Sequence, residues 1–437
     1  MGDLNYDPGS DESLALMRGW IDNCQRGHQL CKMMPQQVGG PKRLLQCLSN
    51  GSVRLVETGS RTQRCEYIAL SYCWGDGKAV MKTTEKTLDR HQRGIPDESL
   101  PPLFQEVVAL ARGLNIAHLW IDSLCIIQDS GKDKVEEIQQ MSDIFRGALV
   151  VVVAATASSP LDSLLRVKPQ DQSHTWRTAS RIVYEEMDLD VKFRRRRSNN
   201  EHIDSDATFH TPIATRAWCF QEKLLASRCL VFCEDEVVWE CRSCCLCECG
   251  GEQEHFSDEG FIYRRYQKML LPLAEHEAFQ LDGTLKYFAD AEAAYSFWAS
   301  AVEKYSGRAL TKRTDRLPAI SAVAWIVAQA TGDRYLAGLW RDDLLAGLCW
   351  VAGGSTRDKD LRPHQEYIAP TWSWASRKFG GVYFPSYRGR LWHDADRASV
   401  VDAWTVVEGP NLCGPVSDGA IVLSGVHCDV EMTIAKS

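Results

Sequence analysis

The sequence predicts an α/β protein: a parallel sheet with flanking helices, followed by an α+β region that is integral to the fold. Three observations carry this. Residues 67–76 read Tyr-Ile-Ala-Leu-Ser-Tyr-Cys-Trp-Gly-Asp, and residues 119–129 read Leu-Trp-Ile-Asp-Ser-Leu-Cys-Ile-Ile-Gln-Asp. Each is an apolar, β-type run that ends in polar groups and a turn. A helix-period segment lies between them, so the order is strand, helix, strand, and a right-handed crossover sets the strands side by side. Leu149–Ala154 is a continuous run rich in β-branched residues, as suits a strand covered on both faces. In such sheets the strand ends line the crevice where ligands bind. Ser71, Tyr72, Trp74, Gly75, Asp76, Trp120, Asp122 and Asp129 are therefore candidate ligand-binding residues.

The other elements follow in order. Residues 11–33 read as a helix that Asp11 and Ser13 can cap, with Leu14, Met17, Trp20 and Ile21 as its apolar stripe. Residues 41–58 read as a hairpin around Asn50-Gly51, a strong turn pair. Residues 101–112 form an amphipathic helix: Pro101 and Pro102 suit its start, Gly113 its end, and Leu103, Phe104, Val107, Val108 and Ala111 share a face. A strand near 117–122 precedes a helix at about 133–145. That helix has Asp133, Glu136 and Glu137 in its first turn, where the helix dipole favours acids. Val135, Ile138, Met141 and Phe145 are its expected buried stripe. Residues 166–210 are polar and Arg-rich and read as a surface excursion. From 213 the pattern gives a helix and two strands, then helices at 288–305 and 318–330. Residues 366–408 look β-rich, and Trp340, Trp350, Trp372 and Trp374 read as packed core. The expected divisions are 1–40, an N-terminal helical segment; 41–165, the α/β domain; 166–210, the excursion; and 211–437, the C-terminal α+β region.

Composition bounds the function. The chain has 437 residues, 44% apolar and 25% charged, and a net charge of −8. These are ordinary soluble-protein values, and the negative balance argues against a general nucleic-acid binder. The Arg194–Arg197 run reads as a solvated loop. No apolar stretch approaches the ~20 residues of a membrane span, and the acidic residues 1–10 do not resemble a secretory signal. The expected location is cytoplasmic. There the 17 cysteines are expected to be mostly free thiols, buried small apolar groups or metal ligands, not disulfides.

Two cysteine groups have metal-ligand character. Cys24, His28 and Cys31 fall on one side of the first helix, and two thiolates and an imidazole suit zinc, with a fourth ligand supplied from elsewhere. Cys241, Cys244, Cys245, Cys247 and Cys249 form a second dense group. The two groups are either separate sites or share one ion; the plain alternative is reduced, buried thiols. Cys73 and Cys125, at strand ends, are either thiolate nucleophiles near a His such as His118 or small apolar fillers, and the filler reading is the simpler.

Several blocks resemble the fungal heterokaryon-incompatibility (HET) family in order and spacing. They are Leu70–Gly75, Leu100-Pro101, Leu119–Gln128, and Asp133 with Glu137 and Met141. Arg216-Ala217-Trp218-Cys219-Phe220-Gln221-Glu222 with Arg228, Trp239–Cys241, Asp315–Ala319, Gly338–Trp340 and Pro370–Ser376 continue the series. Two blocks depart from it: Lys134 stands where the family usually has Trp, and Ser163-Leu164-Leu165 stands where it usually has Gly-Leu-Phe. The resemblance implies a TIR-like, flavodoxin-like core and a role in fungal cell death or immunity. It also implies a nucleotide-directed, NAD-cleaving chemistry that uses a carboxylate. Glu137 lies at the edge of its helix's apolar stripe, where a carboxyl group can be tuned for acid–base work or for stabilising a cation. Its plain alternative is an acid that favours the helix N-terminus. Asp122 either joins Glu137 in catalysis or closes a turn. Two other functions stay open: a tailoring enzyme of fungal secondary metabolism acting on a small molecule in the same crevice, and a non-catalytic module that self-associates.

Overall fold

A computed structural model describes residues 7–32, 40–59, 65–166, 177–184, 187–193, 211–234, 236–248, 288, 290–353, 366–377, 380–385 and 398–425. Cys249 and the Arg194–Arg197 run lie outside the described residues. The chain divides into two compact units, Met1–Tyr287 and Phe288–Ser437.

The first unit is organised by nine strands. Four of them, β3 (Tyr67–Ser71), β5 (His118–Trp120), β6 (Val150–Ala154) and β9 (Arg228–Phe232), pair in parallel in the order β9-β6-β3-β5. In chain order of the parallel strands this is 2-1-3-4, so the order reverses between β3 and β6 as in a doubly wound sheet. Antiparallel strands extend both sides. β1 (Arg43–Cys47), β2 (Ser52–Glu57) and β4 (Ile95–Pro96) lie beyond β5, and β10 (Val237–Cys241) and β11 (Cys245–Cys247) lie beyond β9. The parallel sheet expected from sequence is thus the centre of a mixed one. Strands of residues 228–247, expected in the C-terminal region, belong to this same sheet.

The elements form for identifiable reasons. Gly51, at φ +74°, turns the expected hairpin between β1 and β2. Every residue of β3 and β6 is buried, as their unbroken apolar runs require. The helix α1 (Asp11–Gly27) is capped by Ser10, whose Oγ accepts from Ser13 N, instead of by Asp11 or Ser13. A short α2 (Gln29–Lys32) follows it. After α3 (Leu88–Arg93) comes α4 (Pro102–Gly113), which buries the stripe Leu103, Phe104, Val107, Val108 and Ala111 as expected.

The helix α6 (Gly131–Gly147) corrects the expected stripe. Val135 and Ile138 are exposed at 54% and 37%, while Asp133, Glu137, Met141, Ile144 and Phe145 are buried. The rotation has an electrostatic cause. Arg43 on β1 pairs with Asp133, and Lys42 donates its backbone N–H to Glu137 Oε1 at 3.2 Å. These contacts draw the two acids inward at the cost of two apolar side chains. The crossovers β3–α4–β5 and β5–α6–β6 run in opposite directions along the sheet, so right-handedness sets α4 and α6 on opposite faces. α1 packs with α4, and α6 packs with α7 (Ala217–Leu225).

The second unit is built on α8 (Ala291–Ser306), α9 (Ser321–Thr331) and an aromatic core. Trp298 packs edge-to-face on Tyr335 and Trp340, and Tyr305 on Trp374. Trp340 and Trp374 are core residues, as the sequence reading has them. Gly338, at φ +101°, offers its carbonyl to the indole N–H groups of both Trp298 and Trp374, at 2.9 and 2.8 Å. A Cβ there would lie 2.5 Å from Trp374 Nε1, so only glycine fits. Residues 398–425 form a long antiparallel hairpin. No helix among the described residues is long and apolar enough to cross a membrane.

Candidate functional site

In a doubly wound sheet the crevice opens where the loops after the two central strands part, here after β3 and β6. Ser71 ends β3. Its Oγ donates to Glu222 Oε2 on α7 at 2.5 Å. Just beyond it, the Tyr72 hydroxyl donates to Asp122 Oδ1 at 3.0 Å, and the Trp74 indole N–H donates to Asp122 Oδ2 at 2.8 Å. Ser123 N also donates to Asp122 Oδ1 at 2.6 Å. Asp122 opens the short helix α5 (Asp122–Cys125) beyond β5. The carboxyl ends of β3 and β5 and the helix after β6 therefore converge through Ser71, Tyr72, Trp74, Asp122 and Glu222. Trp74 is half-buried, and the Lys82 ammonium lies 5.2 Å from its ring centre.

Burial sets the electrostatics. It raises the Asp122 carboxyl, an effect that the Tyr72 and Trp74 hydrogen bonds oppose. It pushes Glu222 up to about 7, with the nearby Asp122 charge adding to the rise and the Ser71 bond and the Arg216 charge opposing it. Glu222 thus titrates in the range useful for acid–base work at neutral pH. The other acid–base pair of α7 is internally satisfied: Lys223 Nζ meets Glu240 Oε1 at 3.1 Å.

Gly75 forms the rim. It sits at φ +62°, and a Cβ there would lie 2.9 Å from Ser159 Cβ on the loop after β6. Gly75→Ala is expected to lower the unfolding free energy by about 1–2 kcal/mol, from the left-handed backbone alone, with a further cost from the clash. Urea denaturation measures it, and an unchanged midpoint would contradict the close approach.

The remaining expected residues fall elsewhere. Trp120 is fully buried, edge-to-face with Phe145; it packs the core beneath the site and offers no surface to a ligand. Asp129 accepts from Glu85 N at 2.8 Å, and exposed Asp76 accepts from Lys78 N at 3.0 Å. Both close turns. Burial pushes the Cys73 thiol up to about 11 and the Cys125 thiol to about 12, which fits the filler reading and not a thiolate. Glu137 is wholly enclosed, and its Oε1 accepts from Lys42 N on the strand side, away from the Asp122 group.

Burial raises Glu137 from 4.5 to about 6. The folded state then holds more protons than the unfolded one between those values, so stability falls as pH rises through that window, by about 2 kcal/mol. Glu137→Gln keeps an acceptor for the Lys42 N–H and removes the charge. Its denaturation midpoint is expected to lose this pH dependence and, at pH 8, to equal or exceed that of the wild type. A lower midpoint at pH 8 would mean that Arg43 and Lys42 need the buried charge.

The metal-type residues converge more tightly than their sequence spacing requires. The ligand atoms of Cys24, His28, Cys31 and Cys241 all lie within 4.8 Å of one another. His28 Nδ1 is 3.3 Å from Cys241 Sγ. Tetrahedral zinc ligands of this kind stand about 3.5 Å apart. The second cysteine group thus lends one residue, Cys241, to the first. Cys244 stays outside the set, with its Sγ 3.6 Å from Cys241 Sγ, and Cys247, at the end of β11, is disulfide-bonded, which corrects the expectation that it is a reduced thiol or metal ligand. Arg228 Nε donates to Cys24 Sγ at 3.2 Å, and Arg228 also reaches the Cys31 carbonyl at 3.4 Å. The thiols share charge unequally: hydrogen bonding to Cys241 drives Cys24 up, and bonding from Cys24 drives Cys241 down.

With this geometry in hand, residues 67–222 match the family of heterokaryon incompatibility protein (HET). Residues 67–222 form a HET domain. The domain runs from the first residue of β3 to Glu222 itself, past the division expected at residue 165. The chain is also 27% identical over 199 residues to heterokaryon incompatibility protein 6, OR allele, of Neurospora crassa, a match that covers 39% of this chain and 29% of that protein. No solved structure matches the chain.

Within the HET domain, Glu222 and Arg216 are the site residues that sequence reasoning passed over. They stood out only inside the resembling block. A further signal existed: Gln221, Glu222 and Lys223 are consecutive polar residues in a helix of nine whose other buried positions are apolar or cysteine.

Proposed function

We propose that this HET protein is a cytoplasmic fungal cell-death or immunity module that hydrolyses the N-glycosidic bond of a nicotinamide dinucleotide in the crevice after β3 and β6. The observation that carries the reading is the Glu222 carboxyl: buried, raised to about 7, and held 2.5 Å from Ser71 Oγ at the end of β3. The flavodoxin-like strand order supports the TIR-like core, and the name of the Neurospora relative supports the biological role.

In this mechanism the C1′–N bond breaks and its electron pair neutralises the departing nicotinamide. Positive charge develops on the ribose, and ionised Glu222 stabilises it and accepts a proton from the attacking water. Ser71 orients Glu222. Asp122 already accepts from Tyr72, Trp74 and Ser123 N, so its work is to hold the Trp74 ring for stacking on a planar base. Arg216 brings positive charge for the pyrophosphate; its field reaches both Asp122 and Glu222. Purified protein incubated with NAD and a panel of dinucleotides is expected to release the free base. Release from none of them would discard nucleotide cleavage and leave the small-molecule tailoring reaction as the use of the crevice.

We also propose that Cys24, His28, Cys31 and Cys241 hold a structural zinc ion. Four nitrogen and sulfur donors with no room assigned to a reactant make a closed site. Three thiolates and Zn²⁺ leave one net negative charge, and the Arg228 guanidinium beside Cys24 balances it.

A further inference from the structure

We propose that the second unit carries a binding site for a phosphorylated small molecule, separate from the HET crevice and independent of the reaction assigned to it. A cavity of about 280 Å³ opens where α8 ends, beside the 3-10 turn Arg313–Arg316. Four of its lining residues are arginines: Arg308, Arg313, Arg316 and Arg377. Among the described residues no carboxylate lines it.

Arg316 and Arg377 bring two guanidinium groups to one partly closed space, a place where an anion is stabilised. The structure holds two of the four arginines firmly in place. Arg316 is only 7% exposed; it donates to the Ser306 carbonyl at 3.0 Å, and its guanidinium carbon lies 5.7 Å from the Trp374 ring centre. Arg308, 8% exposed, donates from Nε to the Lys304 carbonyl at 3.1 Å. Yet among the described residues the buried Nε–H groups of Arg316 and Arg377 find no hydrogen-bond acceptor. Buried donors without acceptors are uncommon in folded proteins, and here two of them line one cavity.

An occupant that supplies anionic oxygens satisfies the orphaned donors. Phosphate oxygens match the fork geometry of guanidinium groups. The volume lies at the small end of ligand pockets. It suits one phosphate or a diphosphate with a small attached group, and a concave site of this size does not admit a nucleic-acid backbone. Desolvation and the neighbouring Arg377 and Arg313 charges also lower the Arg316 pKa, as expected for a cation that lacks its counter-ion.

The test is calorimetric titration of the full chain with inorganic pyrophosphate at low salt. Saturable binding at one site is expected. Arg313→Gln and Arg377→Gln, both at half-buried positions, are expected to keep the fold by circular dichroism and each weaken binding about tenfold or more, the size of a charge-assisted hydrogen bond. Arg54→Gln, at an exposed position of β2 in the first unit, is expected to leave pyrophosphate affinity unchanged. Absence of saturable binding, full affinity in both pocket variants, or loss of affinity in Arg54→Gln would each overturn the proposal.

Discussion

Glu222→Gln is expected to abolish base release from NAD, by about a hundredfold or more, while leaving the fold intact. Glutamine keeps the size of the side chain and still accepts from Ser71 Oγ, but it can neither carry the charge that faces the ribosyl cation nor take the proton from water. The wild-type rate is expected to rise with pH and level off above about 7, because the raised carboxyl must lose its proton to act. Any residual rate in Glu222→Gln is expected to be flat across that range. Glu137→Gln serves as the comparison, since its carboxylate is enclosed and bonded to Lys42 N. Loss of turnover in Glu137→Gln with retention in Glu222→Gln would reverse the two assignments.

Removal of the metal is the second large effect. Purified, chelator-free protein is expected to carry one equivalent of zinc per chain by elemental analysis. Cys24→Ser is expected to lose it and to unfold at a markedly lower denaturant concentration, because a structural zinc contributes on the order of 10 kcal/mol to folding. Much of that contribution fails when one of four ligands goes. Cys65→Ser, a free and half-buried thiol outside the cluster, is expected to change neither quantity. Arg228→Gln tests the charge balance: weaker zinc retention against a graded chelator, by about 10–100-fold, with the ligands intact. Metal-free protein of unchanged stability would remove the ion and leave four packed thiol and imidazole groups.

Much of the core was legible in the sequence because burial on both faces leaves an unmistakable run. The strands at 67–71 and 150–154, the helix at 102–113 and the Asn50-Gly51 hairpin all appear where periodicity and turn chemistry put them. Cys24, His28 and Cys31 were legible because their spacing is local, although the helix breaks at His28 between α1 and α2. What was not legible was long-range. Nothing near Cys241 in sequence singles it out from Cys244 or Cys247; strand pairing of β10 beside β9 does. The buried face of α6 was misread because Arg43, on a distant strand, captures Asp133. Glu222 was passed over because its meaning depends on Ser71, 151 residues away. Local pattern states which residues can be buried, and tertiary charge pairing decides which are.

His28 and Cys241 stand 3.3 Å apart in space and 213 residues apart along the chain. During synthesis the first helix leaves the ribosome long before its partner strand exists. At ordinary elongation rates the delay is about 10–40 s. Through that interval Cys24, His28 and Cys31 stand as an incomplete ligand set. A closed four-donor site therefore forms only once β10 has paired beside β9, which ties metal capture to completion of that edge of the sheet.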